Sequence, residues 1–244
     1  MQLKRYFQTI TAAVALLCTA PAFADLIVGS PADADTGNCF PFGCIYSGEY
    51  QQVYTAGAFS GPITINDLEF FNTSSLNRGA TSTPSGTWTI SLSTTSADWN
   101  TLSSTFASNI GGDNTMVFSG NLSQPWSFGD TLQINLSTPF TYDPGNGNLL
   151  MDVTVSGSSP GAGGDIFFDT NGFNGGAMNG NTFMGRVWNL QDVNTVNSGY
   201  GLVTGFSTIA AIPEPEIYAM LGIGLALMGF VARLRNKRQE NADA

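Results

Sequence analysis

Aspartate side chains at two places in the chain have a type and spacing suited to binding a metal ion. Asp33 and Asp35 stand at alternate positions, like the first ligands of a calcium loop, and Asp165 and Asp169 form a second group near a predicted strand. No glutamate follows Asp33 at the distance that an EF-hand requires, so this segment is not an EF-hand. The pattern makes calcium a candidate cofactor, with solvated turn residues as the alternative reading at both places.

Three tryptophans are candidates for binding sugars through their ring faces. Trp99 lies between Asp98 and Asn100, and Trp126 and Trp188 are the other two. Aromatic faces beside polar groups are suited to carbohydrate. The alternative is that these rings belong to a hydrophobic core, which is where we expect Trp88.

Groups for enzymatic chemistry are scarce. The chain has no histidine, which excludes a Ser-His-Asp or Cys-His site. A glycosidase needs two carboxylates that face one bond, and Asp and Glu pairs could supply them. Glu49 and Glu69 are the only glutamates in the central region, and neither stands in a recognisable motif. We therefore expect a protein that is not an enzyme, with a polysaccharide hydrolase as the less favoured alternative.

Cys39 and Cys44 are the two cysteines expected in the mature protein, because Cys18 lies in the predicted signal peptide. Two cysteines in an exported chain indicate one disulfide, which would close the loop from Cys39 to Cys44. A ring this short removes little loop entropy, so its effect should be local. A redox function is the alternative, although the spacing is not Cys-x-x-Cys.

The charge of the central region limits its partners. Residues 25–208 hold fourteen carboxylates and only two cations, Arg78 and Arg186, so their net charge is −12. Such a surface repels nucleic acid and anionic lipid, and we expect it to bind neither. It is compatible with neutral sugars or divalent cations.

The N-terminus has the pattern of a secretory signal peptide. Lys4 and Arg5 precede an apolar stretch, and Ala22-Phe23-Ala24 fits a cleavage site with small residues. Residues 1–24 would be removed, leaving Asp25 as the mature start.

The C-terminus has the pattern of a transmembrane segment. Residues 217–232 contain no charge and would span about 24 Å as a helix, a little less than a hydrocarbon core of about 30 Å. Four cations follow at once, as expected for a cytoplasmic flank: Arg233, Arg235, Lys237 and Arg238. The alternative is a buried C-terminal helix.

The motif Pro213-Glu214-Pro215, this apolar helix and the basic cluster together resemble the PEP-CTERM sorting signal of exported proteins from Gram-negative bacteria that make exopolysaccharide. The resemblance covers residues 209–238, and residues 239–244 form an additional polar tail. It implies that an exosortase recognises the Pro-Glu-Pro motif. It also implies a transient anchor in the inner membrane, followed by transfer to the cell surface or extracellular matrix.

The region between the two signals has the alternation of β-strands. Hydrophobic residues recur at every second position in several runs, and Gly-rich turns separate them. The runs are 51–59, 63–71, 87–92, 115–122, 132–136, 149–155, 165–169, 185–190 and 201–209. We expect a bulge near Asn66-Asp67, an excursion over 94–110 with a short helix around 98–108, and an exposed loop over 171–181. Residues 25–208 should form one all-β domain, an antiparallel β-sandwich of jelly-roll kind.

These observations predict an exported, non-enzymatic protein of the cell surface or extracellular matrix, associated with exopolysaccharide or biofilm. The alternative is a calcium-dependent, lectin-like module that binds carbohydrate. The expected partners are the exosortase, the inner membrane and extracellular polysaccharide.

Overall fold

The structure is a computed structural model that describes residues 23–29, 37–73, 78–174 and 177–209, together with the separate residues 222, 225, 228 and 229. The chain divides into two units, 1–210 and 211–244. All strands of the described residues belong to the first unit. They are β1 (Phe23–Val28), β2 (Gly37–Asn38), β3 (Gly48–Tyr54), β4 (Ile63–Phe71), β5 (Ser85–Thr95), β6 (Thr115–Gly120), β7 (Thr131–Tyr142), β8 (Asn148–Ser159), β9 (Phe168–Asn171), β10 (Phe173–Asn174), β11 (Ala177–Met178), β12 (Met184–Leu190), β13 (Val193–Ser198), β14 (Gly201–Leu202) and β15 (Thr204–Ile209).

The strands pair antiparallel in four sheets. The largest has the order β13-β12-β3-β8-β5-β6, and a four-stranded sheet has the order β1-β15-β4-β7. Two small sheets, β14-β9-β2 and the hairpin β10-β11, complete the described fold. The all-β class expected from the alternating pattern is therefore confirmed.

Side chains from the two larger sheets form one hydrophobic core. Leu68 and Phe70 of β4 are fully buried in the same cluster as Trp88, Ile90 and Leu92 of β5. Successive side chains of a strand point to opposite faces, so each strand contributes every second residue to this cluster. The Trp88 indole donates a hydrogen bond to the Pro41 carbonyl at 3.0 Å, which satisfies its polar atom inside the core.

The longest sequence patterns predicted their strands well. β4 has the expected bounds, and its pairing with β7 shifts between Ile65 and Asp67, where a bulge was expected. The alternating residues of β8, from Leu149 to Val155, point into the core as expected.

Three local predictions were wrong because side chains and turns compete with regular structure. The strand expected at 51–59 is β3, which ends at Tyr54 and is followed by a 3₁₀ turn over Ala56–Ala58. The helix expected at 98–108 is only a 3₁₀ turn over Phe106–Ser108. Asn109 accepts a hydrogen bond from the Ser103 amide there, which favours a loop over a helix. The strand expected from 165 begins at Phe168.

The excursion between β5 and β6 packs on the face of the six-stranded sheet that points away from the main core. Leu102 forms a second buried cluster with Val53 and Leu150. The Gln51 side chain fastens the loop, since it donates to the Phe106 carbonyl at 3.2 Å and accepts from Asn109 at 2.9 Å. Both faces of the central strands are therefore covered along part of their length.

The disulfide between Cys39 and Cys44 is present, with 5.3 Å between the Cα atoms. Its loop inserts Phe42 into the core, where the ring centroid lies 4.6 Å from that of Phe70. A Cβ atom at Gly43 would lie 2.0 Å from the Ile166 carbonyl oxygen, so this position accepts only glycine without a shift. The disulfide loop is thus a core element as well as a local crosslink.

Candidate functional site

The three candidate sugar-binding tryptophans occupy different environments. Trp126 is only 5% exposed, and its indole donates to the Asn72 side chain at 3.2 Å. Trp188 is half-buried, and Phe40 stacks on it at 5.0 Å between centroids. Trp99 is also half-buried. The structure therefore makes Trp126 a core residue, which corrects its assignment as a surface platform for sugars.

The predicted metal-binding aspartates also separate. Asp169 is fully buried and accepts hydrogen bonds from the Thr73 amide at 2.8 Å and the Thr73 hydroxyl at 2.6 Å, whereas Asp165 is exposed in the preceding turn. Asp169 thus fastens β9 to the end of β4. Asp33 and Asp35 lie outside the described residues. Within the described residues, no group of three or more Asp, Glu, Cys or His side chains is placed to hold a metal ion.

A pair of carboxylates that sequence reasoning missed lies on the outer face of the six-stranded sheet. Glu49 of β3 lies near Asp152 of β8, whose Oδ1 has no hydrogen-bond partner among the described residues. Gln51, directly opposite Asp152, donates a hydrogen bond to Glu49 at 3.4 Å. Burial, and then the neighbouring charge of Asp152, raises the pKa of Glu49 to about 7. Burial also raises the pKa of Asp152. With its pKa raised to about 7, the Glu49 carboxyl group gains or loses its proton near neutral pH.

No local sequence motif predicts that Glu49 and Asp152 lie close together. Glu49 and Asp152 are far apart in the chain and meet only because Gln51 pairs with Asp152 in the register of β3 and β8. The available signal is alternation, which places Asp152 on the face opposite Met151 and Val153.

A second cluster of polar side chains lies around Arg186, on the opposite, core-facing side of the same sheet. Its guanidinium lies 4.5 Å from the centre of the Tyr200 ring and donates to Asn197 at 3.0 Å. Tyr50 donates to the Gln52 side chain at 2.7 Å nearby, and Gln52 both donates to and accepts from the backbone of Leu202 at 2.8 Å. These contacts connect β3, β12, β13 and β14 through polar side chains.

The last described strand leads directly to the predicted sorting segment. β15 lies between β1 and β4, and its Phe206 packs edge-on against Tyr54 at 5.1 Å between centroids. The Tyr54 hydroxyl is 2.7 Å from the Thr204 hydroxyl. The folded domain therefore extends to Ile209, four residues before Pro213 in the sequence.

The comparison with protein families decides what this C-terminal segment is. Residues 211–236 match the family model of the PEP-CTERM protein-sorting motif. The chain therefore carries a PEP-CTERM sorting motif at these residues. The match includes Pro213, Glu214 and Pro215 and the first cations of the basic cluster, which confirms the resemblance seen in the sequence. No curated protein matches the chain.

The match implies that the protein is exported through the membrane and that an exosortase processes it. The sorting motif, the basic cluster and Ala22 lie outside the described residues, whereas Ala24 lies in β1, opposite Thr208. Of the expected transmembrane segment 217–232, the structure describes four residues, which are helical: Gly222, Leu225, Met228 and Gly229. Among the described residues, no helix is long and apolar enough to cross a bilayer.

Proposed function

We propose that this PEP-CTERM protein is a non-enzymatic component of the cell surface or extracellular matrix, where it associates with exopolysaccharide. The observation that carries the proposal is the sorting motif at residues 211–236, because it directs an exported protein to an exosortase. After a transient stay in the inner membrane, the protein is cut at Pro213-Glu214-Pro215 and released to its final location.

Two properties of the domain support a role as a matrix component. Its net charge of −12 keeps it soluble and apart from anionic lipid. On β5, the residues that alternate with the core side chains are Thr87, Thr89 and Ser91, whose hydroxyl groups can hydrogen-bond to hydroxyl-rich polymers. The shared core of the two larger sheets supports a further part of the proposal, that the domain is an antiparallel β-sandwich of jelly-roll kind.

Replacement of Glu214 by alanine in a host that contains an exosortase tests the sorting step. We expect the wild-type protein in the surface and polysaccharide fractions, starting at Asp25 and ending close to Pro213–Pro215 by intact mass. Glu214→Ala should accumulate in the inner membrane. Glu216→Ala is the matched control, since it removes the same charge just outside the motif, and it should be sorted normally. Released protein that still carries Arg233–Arg238 would overturn this processing.

Binding and turnover of polysaccharide test two other parts of the proposal, the association with exopolysaccharide and the non-enzymatic role. The released protein should be retained on exopolysaccharide from the same host, and a chelator should not elute it. Elution by the chelator would favour a calcium-dependent lectin instead. Turnover of a fluorescently labelled glycan would contradict the non-enzymatic role and point to a hydrolase.

A further inference from the structure

Arg186 is a buried cation whose contacts leave part of its guanidinium group unsatisfied. The side chain is 2% exposed. Its Nε donates to Asn197 at 3.0 Å and its Nη2 reaches the Met178 sulfur at 3.6 Å, but Nη1 has no hydrogen-bond partner among the described residues. Arginine is almost never fully buried unless it is paired with a negative charge, so this environment is unusual.

The groups around Arg186 are polar or aromatic but not negatively charged. The acceptors of Nε and Nη2 are a neutral amide and a thioether, and the rings of Tyr200 and Trp188 lie 4.5 Å and 5.8 Å from the guanidinium carbon. Burial raises the pKa of Tyr50, and the charge of Arg186 and a side-chain hydrogen bond with it oppose that rise, so the tyrosine is neutral at ordinary pH and supplies no negative charge. Cation–π contacts with two rings stabilise the charge in part. They leave the N–H groups of Nη1 without an acceptor.

We propose that Arg186 binds a small monovalent anion, a halide or a carboxylate group, through Nη1. An anion would supply both missing features, a hydrogen-bond acceptor and a negative charge in a buried environment. This site is distinct from the sorting motif, and the inference does not rest on the proposed function.

The surroundings favour a small ligand over a stacked sugar ring. The Phe40 ring stacks on one face of Trp188, with 5.0 Å between the ring centroids, so this face is not available to stack on a sugar ring. Met178, which contacts Nη2, is itself 42% exposed, so solvent lies one side chain away from the guanidinium. A chloride ion, or the carboxylate of a short organic acid or an acidic sugar, would supply the negative charge that the described surroundings of Arg186 lack.

Anion-dependent stability of two arginine variants tests the proposal. Purified full-length protein in a non-ionic detergent is melted at constant ionic strength while chloride, acetate or glucuronate replaces sulfate. We expect a saturable rise in melting temperature of about 5 °C at a hundredfold excess over Kd. Arg186→Gln should abolish the rise. Arg78→Gln removes the other cation of the domain, which is exposed and lies over Phe128 at 4.2 Å, and should keep the rise.

A direct measurement keeps the proposal testable if Arg186→Gln does not fold. Chloride-35 NMR of the wild-type protein and of Arg78→Gln should show the same excess line broadening. Titration with an anion that binds the site more tightly than chloride should remove this broadening. Removal by glucuronate at lower concentration than acetate identifies an acidic sugar as the source, and removal by neither identifies chloride. The proposal is overturned by an absence of excess broadening in the wild-type protein, or by an unchanged melting response in a folded Arg186→Gln variant.

Discussion

Replacing Glu49 with glutamine should change how stability depends on pH, because burial and the nearby charge of Asp152 raise the pKa of Glu49. The pKa of Glu49 is raised from 4.5 to about 7 in the folded protein. The folded state therefore binds more protons than the unfolded state between these two values. The linkage relation then requires the free energy of unfolding to fall as pH rises through this window. The contribution of Glu49 is fully present below about pH 4.5 and is lost as pH passes about 7.

The size of this effect follows from the pKa difference. A difference of roughly 2.5 units corresponds to about 3.4 kcal/mol at most. Glu49 is only half-buried, and solvent screening reduces such an energy, so we expect about 1–2 kcal/mol. The Glu49→Gln variant keeps a hydrogen-bonding side chain beside Asp152 and cannot become charged. At pH 8 it should be more stable than the wild-type protein, because no like charges then face each other.

Urea unfolding at half-unit steps from pH 4 to pH 8 measures the difference. The matched control is Asp192→Asn, which removes a carboxylate from the exposed turn between β12 and β13, where asparagine tolerates the φ of 65°. The control should follow the wild-type profile between pH 4.5 and pH 7. If Glu49→Gln shows the same loss of stability across that window as the wild-type protein, the carboxyl group of Glu49 is not its source.

Four further outcomes are expected, three from the structure and the last, on calcium, from the acidic sequence. Gly43→Ala should cost about 2–4 kcal/mol in urea unfolding, since its Cβ would lie 2.0 Å from a carbonyl oxygen, whereas Gly57→Ala, with nothing within 4 Å, should be near neutral. Trp126→Ala should lower the free energy of unfolding by about 3–5 kcal/mol, and a smaller loss would argue against its core position. Cys39→Ser should lower the free energy of unfolding by an amount at the low end of about 2–4 kcal/mol, and so lower the melting temperature modestly, with the fold intact by circular dichroism. Millimolar calcium should raise the melting temperature more than sodium chloride of equal ionic strength, and equal shifts would indicate screening alone.

The strands predicted best were those whose alternating pattern agrees with their burial. In β5, Trp88, Ile90 and Leu92 all point into the core, so a period of two was enough to place them. Short strands such as β2 and β14 carry no such pattern, because two residues cannot show a period. They form only because pairing with β9 holds them in place.

The candidate sites show a similar division. The pairing of Cys39 with Cys44 was predictable, since the loop is short and the third cysteine, Cys18, lies in the predicted signal peptide. The burial of Trp126 was not, because whether a tryptophan faces solvent depends on what packs over it. The burial of Arg186 was the hardest feature to predict. Alternation puts Arg186 and Val187 on opposite faces of β12, yet both are buried. The core covers one face of this strand, and other elements cover the second.

The sequence by itself determined that this protein is exported and carries a sorting motif, because targeting signals are read from contiguous residues. The sorting signal can be recognised from its local sequence alone, which consists of Pro213-Glu214-Pro215, the charge-free segment and the cations after it. It also determined the all-β class, because a period of two is a local property. Only the tertiary structure decided which charged groups meet or lose water. Glu49 and Asp152 become neighbours, and Arg186 becomes buried, through strand registers that depend on residues distant in the chain.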